Sequence, residues 1–354
     1  MSKASTGNYF EDFGMGQAIA HPTPRTVTSG DVALYTGLYG SRFALQSAAT
    51  VAADMGYEQT PVDDMLVFHL VFGKSVPDIS LNAVANLGYA DCRFLRPVYA
   101  GDTLSAASEV IGLRENANGK TGVVYVRNEG RNQRGEPVLR FVRWVMVNKR
   151  DPERAVQAEM GVPGLPEAVA ARDLPAAAPS ARACRFDTTA SGSDALWEDY
   201  APGEQIDHID GMTLEDAEHM LATRLYQNTA RVHFDAVAQQ GSRFGKRLIY
   251  GGHIISLARA LSFNGLANAC RIAAINGGSH TAPAFAGDTV YAWSEVLDKT
   301  ETGTEGMGAL RLRLVALKNR PAGEGFTLRQ ECGRYDPDVL LDLDYWALMP
   351  RRMH

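Results

Sequence analysis

The chain repeats itself. Residues Arg96 to Val110, RPVYAGDTLSAASEV, return 186 positions later as APAFAGDTVYAWSEV from Ala282 to Val296, with nine of fifteen positions identical. A second pair of windows, FEDFGMGQAI from Phe10 and WEDYAPGEQI from Trp197, is offset by 187. Two separate windows that share nearly one offset imply duplication of a whole unit. The 354 residues then fold as two like units of about 150 residues, each large enough to bury a core.

The seam is visible in composition. Residues 1–150 form the first unit, and 151–193 form a connector rich in Ala and Pro, with GVPGLPEAVAARDLPAAAPSARA at its centre. Residues 194–354 form the second unit. Within each unit an opening aromatic turn leads to a helix-start signal, TSGD at Thr28 to Asp31 and TLED at Thr213 to Asp216. A mostly apolar segment follows, MLVFHLVFGKSV from Met65 and IYGGHIISLARALSFNGL from Ile249, which reads as a buried helix. Strand candidates come next: LGYADCRFLRPV, DTLSAASEVIGL, TGVVYVRNEGRNQ and PVLRFVRWVMVNK, then HTAPAF, DTVYAWSEVLDK, GALRLRLVALKNR and GFTLRQECGRY. Gly101-Asp102 and Gly287-Asp288 punctuate them as turns. Each unit therefore reads as α+β, an antiparallel sheet wrapped around a central helix.

A net charge of −6 and a pI of about 5.8 leave no basic footprint for nucleic acid or an anionic membrane. Cys92, Cys184, Cys270 and Cys332 are scattered, which argues against a disulfide framework and against a zinc site. The N-terminus has no apolar signal core and no stretch approaches eighteen unbroken apolar residues, so a cytoplasmic protein is expected.

RFLRPVYAGDTL from Arg93 and NQRGEPV from Asn132 resemble the strand signature of the MaoC-like dehydratases, which include the R-specific enoyl-CoA hydratases and share the hotdog fold. The resemblance covers nearly the whole chain and implies a tandem, or double, hotdog. YTGLYGSRFALQSA, VFHLVFGKSVPDISLNAVANLGYADCRF and LYQNTARVHFDAVAQ resemble one branch of that family, the mesaconyl-CoA hydratases. That branch implies a hydro-lyase that interconverts mesaconyl-CoA and β-methylmalyl-CoA in the central carbon metabolism of acetyl-CoA or glyoxylate assimilation. It also implies no cofactor, CoA being part of the substrate, and a homo-oligomer, expected as a dimer.

The family's active half holds an aspartate, then Asn-Pro, then a histidine five positions after the aspartate. Asn228-Thr229-Ala230-Arg231-Val232-His233 falls in that place, so the resemblance implies His233 as the base and puts an amide, Asn228, where the carboxylate stands. The first half carries Ser41 and Gln46 at the corresponding positions and reads as a degenerate site. The family has a His-Gly pair before the central helix, where this chain has Tyr250-Gly251. The N–H groups of Gly251 and Gly252 are the candidate oxyanion donors. A free carboxylate on the acyl group calls for an arginine fork, and Arg231 and Arg42 are candidates by spacing. Asp64 and His69, also five apart, form a weaker alternative pair, since 500° of helix leaves about 140° between their side chains.

Other readings stand beside these. Asn228 is equally expected as a helix N-cap. Arginines at such positions are commonly only solvated charges. The strand signature marks fold alone, so a hydratase of another acyl-CoA, a hotdog thioesterase and a non-catalytic acyl-CoA binder stay open.

Overall fold

The computed structural model describes residues 3–154, 161–175, 186–323 and 326–352. Two runs of elements follow the same order. The first is β1 (Ala18–Thr26), α1 (Ser29–Tyr39), α2 (Ala44–Ser47), α3 (Ala49–Asp54), α4 (Asp64–Ile79), β2 (Ala83–Phe94), β3 (Thr103–Glu115), β4 (Thr121–Arg131) and β5 (Pro137–Asn148). The second is β6 (Gln205–Thr213), α5 (Asp216–Leu225), α6 (Arg231–Phe234), α7 (Ala236–Gln239), α8 (Gly251–Leu261), α9 (Phe263–Leu266), β7 (Arg271–His280), β8 (Thr289–Glu301), β9 (Met307–Lys318) and β10 (Val339–Pro350).

All ten strands join one antiparallel sheet in the order β1-β3-β4-β5-β2-β7-β10-β9-β8-β6. The order is a palindrome of the repeat. The halves meet where β2 pairs with β7, Tyr89 opposite Gly278 and Cys92 opposite Ile275. The buried helices α4 and α8 lie against this sheet and share one apolar cluster across both halves.

Local chemistry explains the elements. Thr28 caps α1 by accepting from Asp31 N, and Asp31 returns the bond to Thr28 N, a reciprocal box. The matching signal at Thr213 fails. Thr213 ends β6, its hydroxyl lies 2.9 Å from that of Thr289, and α5 starts at Asp216 with Glu215 as N-cap. The repeat partner of Thr213 is Thr26, which pairs with Thr103 in the same way. Gly101 and Gly287 have φ of 103° and 93°, and Asp102 and Asp288 accept from Tyr99 N and Phe285 N to close each turn.

Three strand expectations move. β1 and β6 are strands in stretches where no strand was read, β7 ends at His280 where HTAPAF was expected to begin one, and the last strand is Val339–Pro350 instead of 325–335. Described parts of the connector are docked on the sheet. Gly161 exchanges two backbone hydrogen bonds with Leu113, and Val169 accepts from Trp346 Nε1 at 3.1 Å. Cys92 and Cys270 are buried free thiols and Cys332 is exposed, while Cys184 lies outside the described residues.

Candidate active site

No side chain caps the start of α8. The Tyr250 N–H donates to His219 Nε2 at 2.9 Å. The N–H groups of Gly251 and Gly252 remain, and a helix cannot satisfy its first-turn donors internally. Crowding demands both glycines. A Cβ on Gly251 would stand 2.5 Å from His280 Cε1, and one on Gly252 would stand 2.5 Å from His69 Cε1. The positive end of a helix dipole is thus presented among rings.

His233 rides on the single turn α6, half-buried against Tyr250 at 5.4 Å and His219 at 6.0 Å between ring centroids. Its Nδ1 lies 3.0 Å from the Leu248 carbonyl oxygen. A carbonyl only accepts, which assigns the proton to Nδ1 and leaves the Nε2 lone pair free. Burial pushes the His233 pKa down to about 4, against the pull of the Leu248 hydrogen bond. At neutral pH the ring is an uncharged base.

Burial, and after it His233, pushes the pKa of His280 on β7 down to about 4, and Tyr89 Oη lies 3.3 Å from its Nε2. His69, His219, His233, His253 and His280, five of the chain's eight histidines, gather around the start of α8 through Tyr250 and one another. Among the described residues no three His, Cys, Asp or Glu side chains are grouped to hold a metal ion.

The structure brings Tyr250, Gly251, Gly252 and His233 together. Asn228 is buried at the same corner, close enough to α4 that a Cβ on Gly73 would stand 3.4 Å from Asn228 N. Its Oδ1 accepts from Ala230 N at 3.0 Å, forming an Asx turn. The N-cap of α6 is Ala230, so Asn228 is not a helix cap. Arg231 is exposed. Arg42 lies over Phe263 at 4.6 Å, beyond the far end of α8. An eleven-residue helix is about 16 Å long, so Arg42 and His233 stand at opposite ends. Asp64 and His69 are also separated: Asp64 pairs with Arg271 at 2.6 Å, whereas His69 Nε2 lies 2.8 Å from Ser256 Oγ. Ser256, at the 187 offset, is the repeat partner of His69, and Leu66 is that of His253.

The corresponding place in the first half is filled by side chains from both halves. Gln46, Asp63, Asp64, Arg259 and Arg271 surround a cavity of about 10 Å³, the room of one water. Arg271 donates to both Asp64 oxygens, and Asp64 also accepts from Ile272 N. The mouths differ as well. α3 buries Val51 and Ala52 in a cluster with Met307 and Trp346, whereas Val237 of α7 is 76% exposed and Phe244 is 36% exposed.

Residues 2–325 match the protein family described as mesaconyl-CoA hydratase. The chain is 60% identical over 352 residues to the β-methylmalyl-CoA dehydratase of Chloroflexus aurantiacus, with 99% of each covered. It is 59% identical over 350 residues to the mesaconyl-CoA hydratase of Cereibacter sphaeroides, covering 99% of this chain and 100% of that one. This chain belongs to the mesaconyl-CoA hydratase family. The crystal structure of a MaoC domain protein from Chloroflexus aurantiacus superposes on all of it with a TM-score of 0.96 at 59% identity. A Mycobacterium tuberculosis protein with a double hotdog fold matches 97% of this chain and 98% of its own at a TM-score of 0.74 and 24% identity. The two α+β units expected from the repeat, and the double hotdog implied by the resemblance, are the fold observed.

In this mesaconyl-CoA hydratase family member, sequence reasoning missed His219, His280 and Tyr89. The repeat itself held a signal for the histidines. At the 186 and 187 offsets His219 faces Val32 and His280 faces Phe94, so imidazoles replace apolar residues on the C-terminal side alone.

Proposed function

We propose that the chain reversibly adds water across the double bond of mesaconyl-CoA to give β-methylmalyl-CoA, with chemistry in the C-terminal half. The observation that carries this reading is the contrast between two equivalent places. One presents a neutral imidazole with a free Nε2 beside uncapped helix donors. The other is plugged by Asp64 and Arg271.

In the forward direction His233 Nε2 takes a proton from water, and the hydroxide oxygen bonds to the β carbon. The π electrons pass to the thioester, whose developing oxyanion accepts from the N–H groups of Gly251 and Gly252. The imidazolium then returns the proton to the α carbon, so one water is added and the base is restored. Asn228 holds the corner through its Asx turn and has no carboxylate to share the proton. No separate cofactor is part of this proposal, because the thioester serves as the electron sink.

For the CoA part, loop 241–247 offers cations beside aromatic rings. Lys246 Nζ sits 4.0 Å from the Phe285 ring centroid, and Arg243 lies over Phe244 at 5.2 Å. No helix among the described residues is long and apolar enough to cross a membrane, and a cytoplasmic site of action is part of the proposal. The β2–β7 seam already supplies within one chain the pairing that joins two single hotdogs, and the proposed dimer is a further association of such chains.

The test is the absorbance of the enoyl-thioester band with mesaconyl-CoA and purified protein. A fall that reverses with β-methylmalyl-CoA is expected, and no change with either would end the proposal. Release of free thiol would instead favour a thioesterase.

A further inference from the structure

Arg143 on β5 is fully buried, with 0% of its surface exposed, and among the described residues it has no carboxylate within ion-pairing distance. It donates to Ser75 Oγ at 2.7 Å and Ser80 Oγ at 3.3 Å, while its Nε–H has no partner. Burial pushes its pKa down to about 10, which still leaves it charged at neutral pH. Neutral hydroxyls do not cancel a buried charge, and a desolvated cation is costly without an anion.

The place of that charge is informative. Its guanidinium carbon lies 4.3 Å from the ring centroid of Phe72, whose ring is 5.8 Å from that of Tyr250. Across the sheet Arg143 sits opposite Tyr89, the residue that meets His280. Its electrostatic neighbours include Tyr89, Tyr250 and His21, the last bonded to Asp78 at 2.7 Å. Arg143 therefore stands one ring behind the histidine cluster, on the N-terminal side of the seam.

The repeat shows that the scaffold does not require this cation. Tyr345 pairs opposite Ile275 as Arg143 pairs opposite Tyr89, and Trp346 follows it as Trp144 follows Arg143. A neutral phenol fills that position in the half whose facing pocket is plugged.

We infer that Arg143 binds the free carboxylate of the acyl group, so that a side chain of the N-terminal half sets the substrate preference of a site whose base lies in the C-terminal half. This rests on the reaction proposed above. The carboxylate of mesaconyl-CoA is attached to the β carbon. Because Arg143 is fully buried behind Phe72, the pairing requires the Phe72 or Tyr250 ring to turn aside as the acyl group enters, and the pair then holds that carbon toward His233.

The experiment compares mesaconyl-CoA with (E)-2-methyl-2-butenoyl-CoA, which has a methyl group in place of the carboxylate, for wild type, Arg143→Gln and Arg143→Lys. Arg143→Gln is expected to lower kcat/KM for mesaconyl-CoA on the order of 100-fold, with Arg143→Lys between. Turnover of the methyl analogue should stay within about threefold. Equal losses on both substrates, or none on mesaconyl-CoA, would overturn the role.

Binding of succinyl-CoA against butyryl-CoA by calorimetry gives a readout that does not depend on turnover. The preference for succinyl-CoA should vanish in Arg143→Gln, even if the wild type proves to hydrate something else. Should that variant not fold, a wild-type structure with succinyl-CoA decides the matter. The carboxylate within hydrogen-bond distance of Arg143 supports the role, and its placement elsewhere refutes it.

Discussion

The hydroxyls of Tyr39 and Tyr226, identical residues 187 positions apart, lie 2.7 Å from each other. The two copies of one position touch, so the pseudo-twofold relation between the halves runs through this buried pair. Tyr39 Oη also lies 2.8 Å from His253 Nδ1, which makes the contact part of a polar core. Tyr39→Phe removes both bonds and leaves two buried polar groups short of a partner. A loss of about 1 to 3 kcal/mol in urea unfolding is expected, larger than for Tyr226→Phe. Equal stability of Tyr39→Phe and wild type would show that the pair carries no net stabilisation.

The base proposed at position 233 has a recognisable pH signature. Burial holds its pKa near 4, so the uncharged form is complete well below pH 6.5. kcat/KM should rise as pH increases through about 4 and stay flat between pH 6 and 8. An inflection near 6.5 would mean a solvated histidine. His233→Ala should lower kcat by about 100-fold or more, the usual size of a lost general base.

Acid should unfold this protein early. Burial pushes His69 to about 3 and His208, His253 and His280 to about 4, as it does His233. Above pH 6.5 both folded and unfolded chains hold these rings neutral and the histidines contribute nothing. As pH falls from 6.5 toward 4 the unfolded chain takes up protons that the folded one refuses. Each fully titrating ring then costs about 1.4 kcal/mol per pH unit. Urea midpoints at pH 7.5, 6.5, 5.5 and 5 should hold level and then drop with a slope of several protons. A flat profile to pH 5 would contradict the burial of the cluster.

How much of this was legible in the sequence depended on how each residue signals its role. Gly101-Asp102 and Gly287-Asp288 announced their turns because the backbone there needs positive φ and an acceptor. The edge strands β1 and β6 were hidden because each has one fully buried residue, His21 or His208, and so shows no apolar alternation. β10 was misplaced because its residues are buried almost without interruption, which erases the period of two. His233 was legible through a motif. Arg231 was chosen by chain proximity to that motif and Arg42 by its place beside the motif's repeat counterpart, whereas the role proposed for Arg143 rests on a strand 90 residues upstream and a sheet register no local pattern encodes.

Asn228 tests why this chain departs from its wider family. Asn228→Asp keeps the Asx turn, since a carboxylate can also accept from Ala230 N, and the fold should be retained. A second negative charge would then face an acyl group that already carries one on its β carbon. At about 5 Å and an effective dielectric near 20 the repulsion is roughly 3 kcal/mol. The variant should lose tenfold or more in kcat/KM with mesaconyl-CoA and gain with crotonyl-CoA, whose β carbon bears no charge. A uniform loss on both would assign Asn228 to the turn alone.

Gly73 separates packing from helix propensity. In the middle of α4, Gly73→Ala should favour the helix by about 1 kcal/mol on backbone grounds alone. A Cβ there, however, overlaps the carbonyl oxygen of Tyr226, the residue that leads into the Asn228 corner, and that backbone cannot swing aside as a side-chain tip would. Overpacking of this kind costs about 1 to 3 kcal/mol and outweighs the propensity gain. The variant should therefore be less stable than wild type in urea and slower with mesaconyl-CoA, because relief comes only by moving the corner that leads to His233. A Gly73→Ala protein with raised stability and full rate would place that corner away from α4.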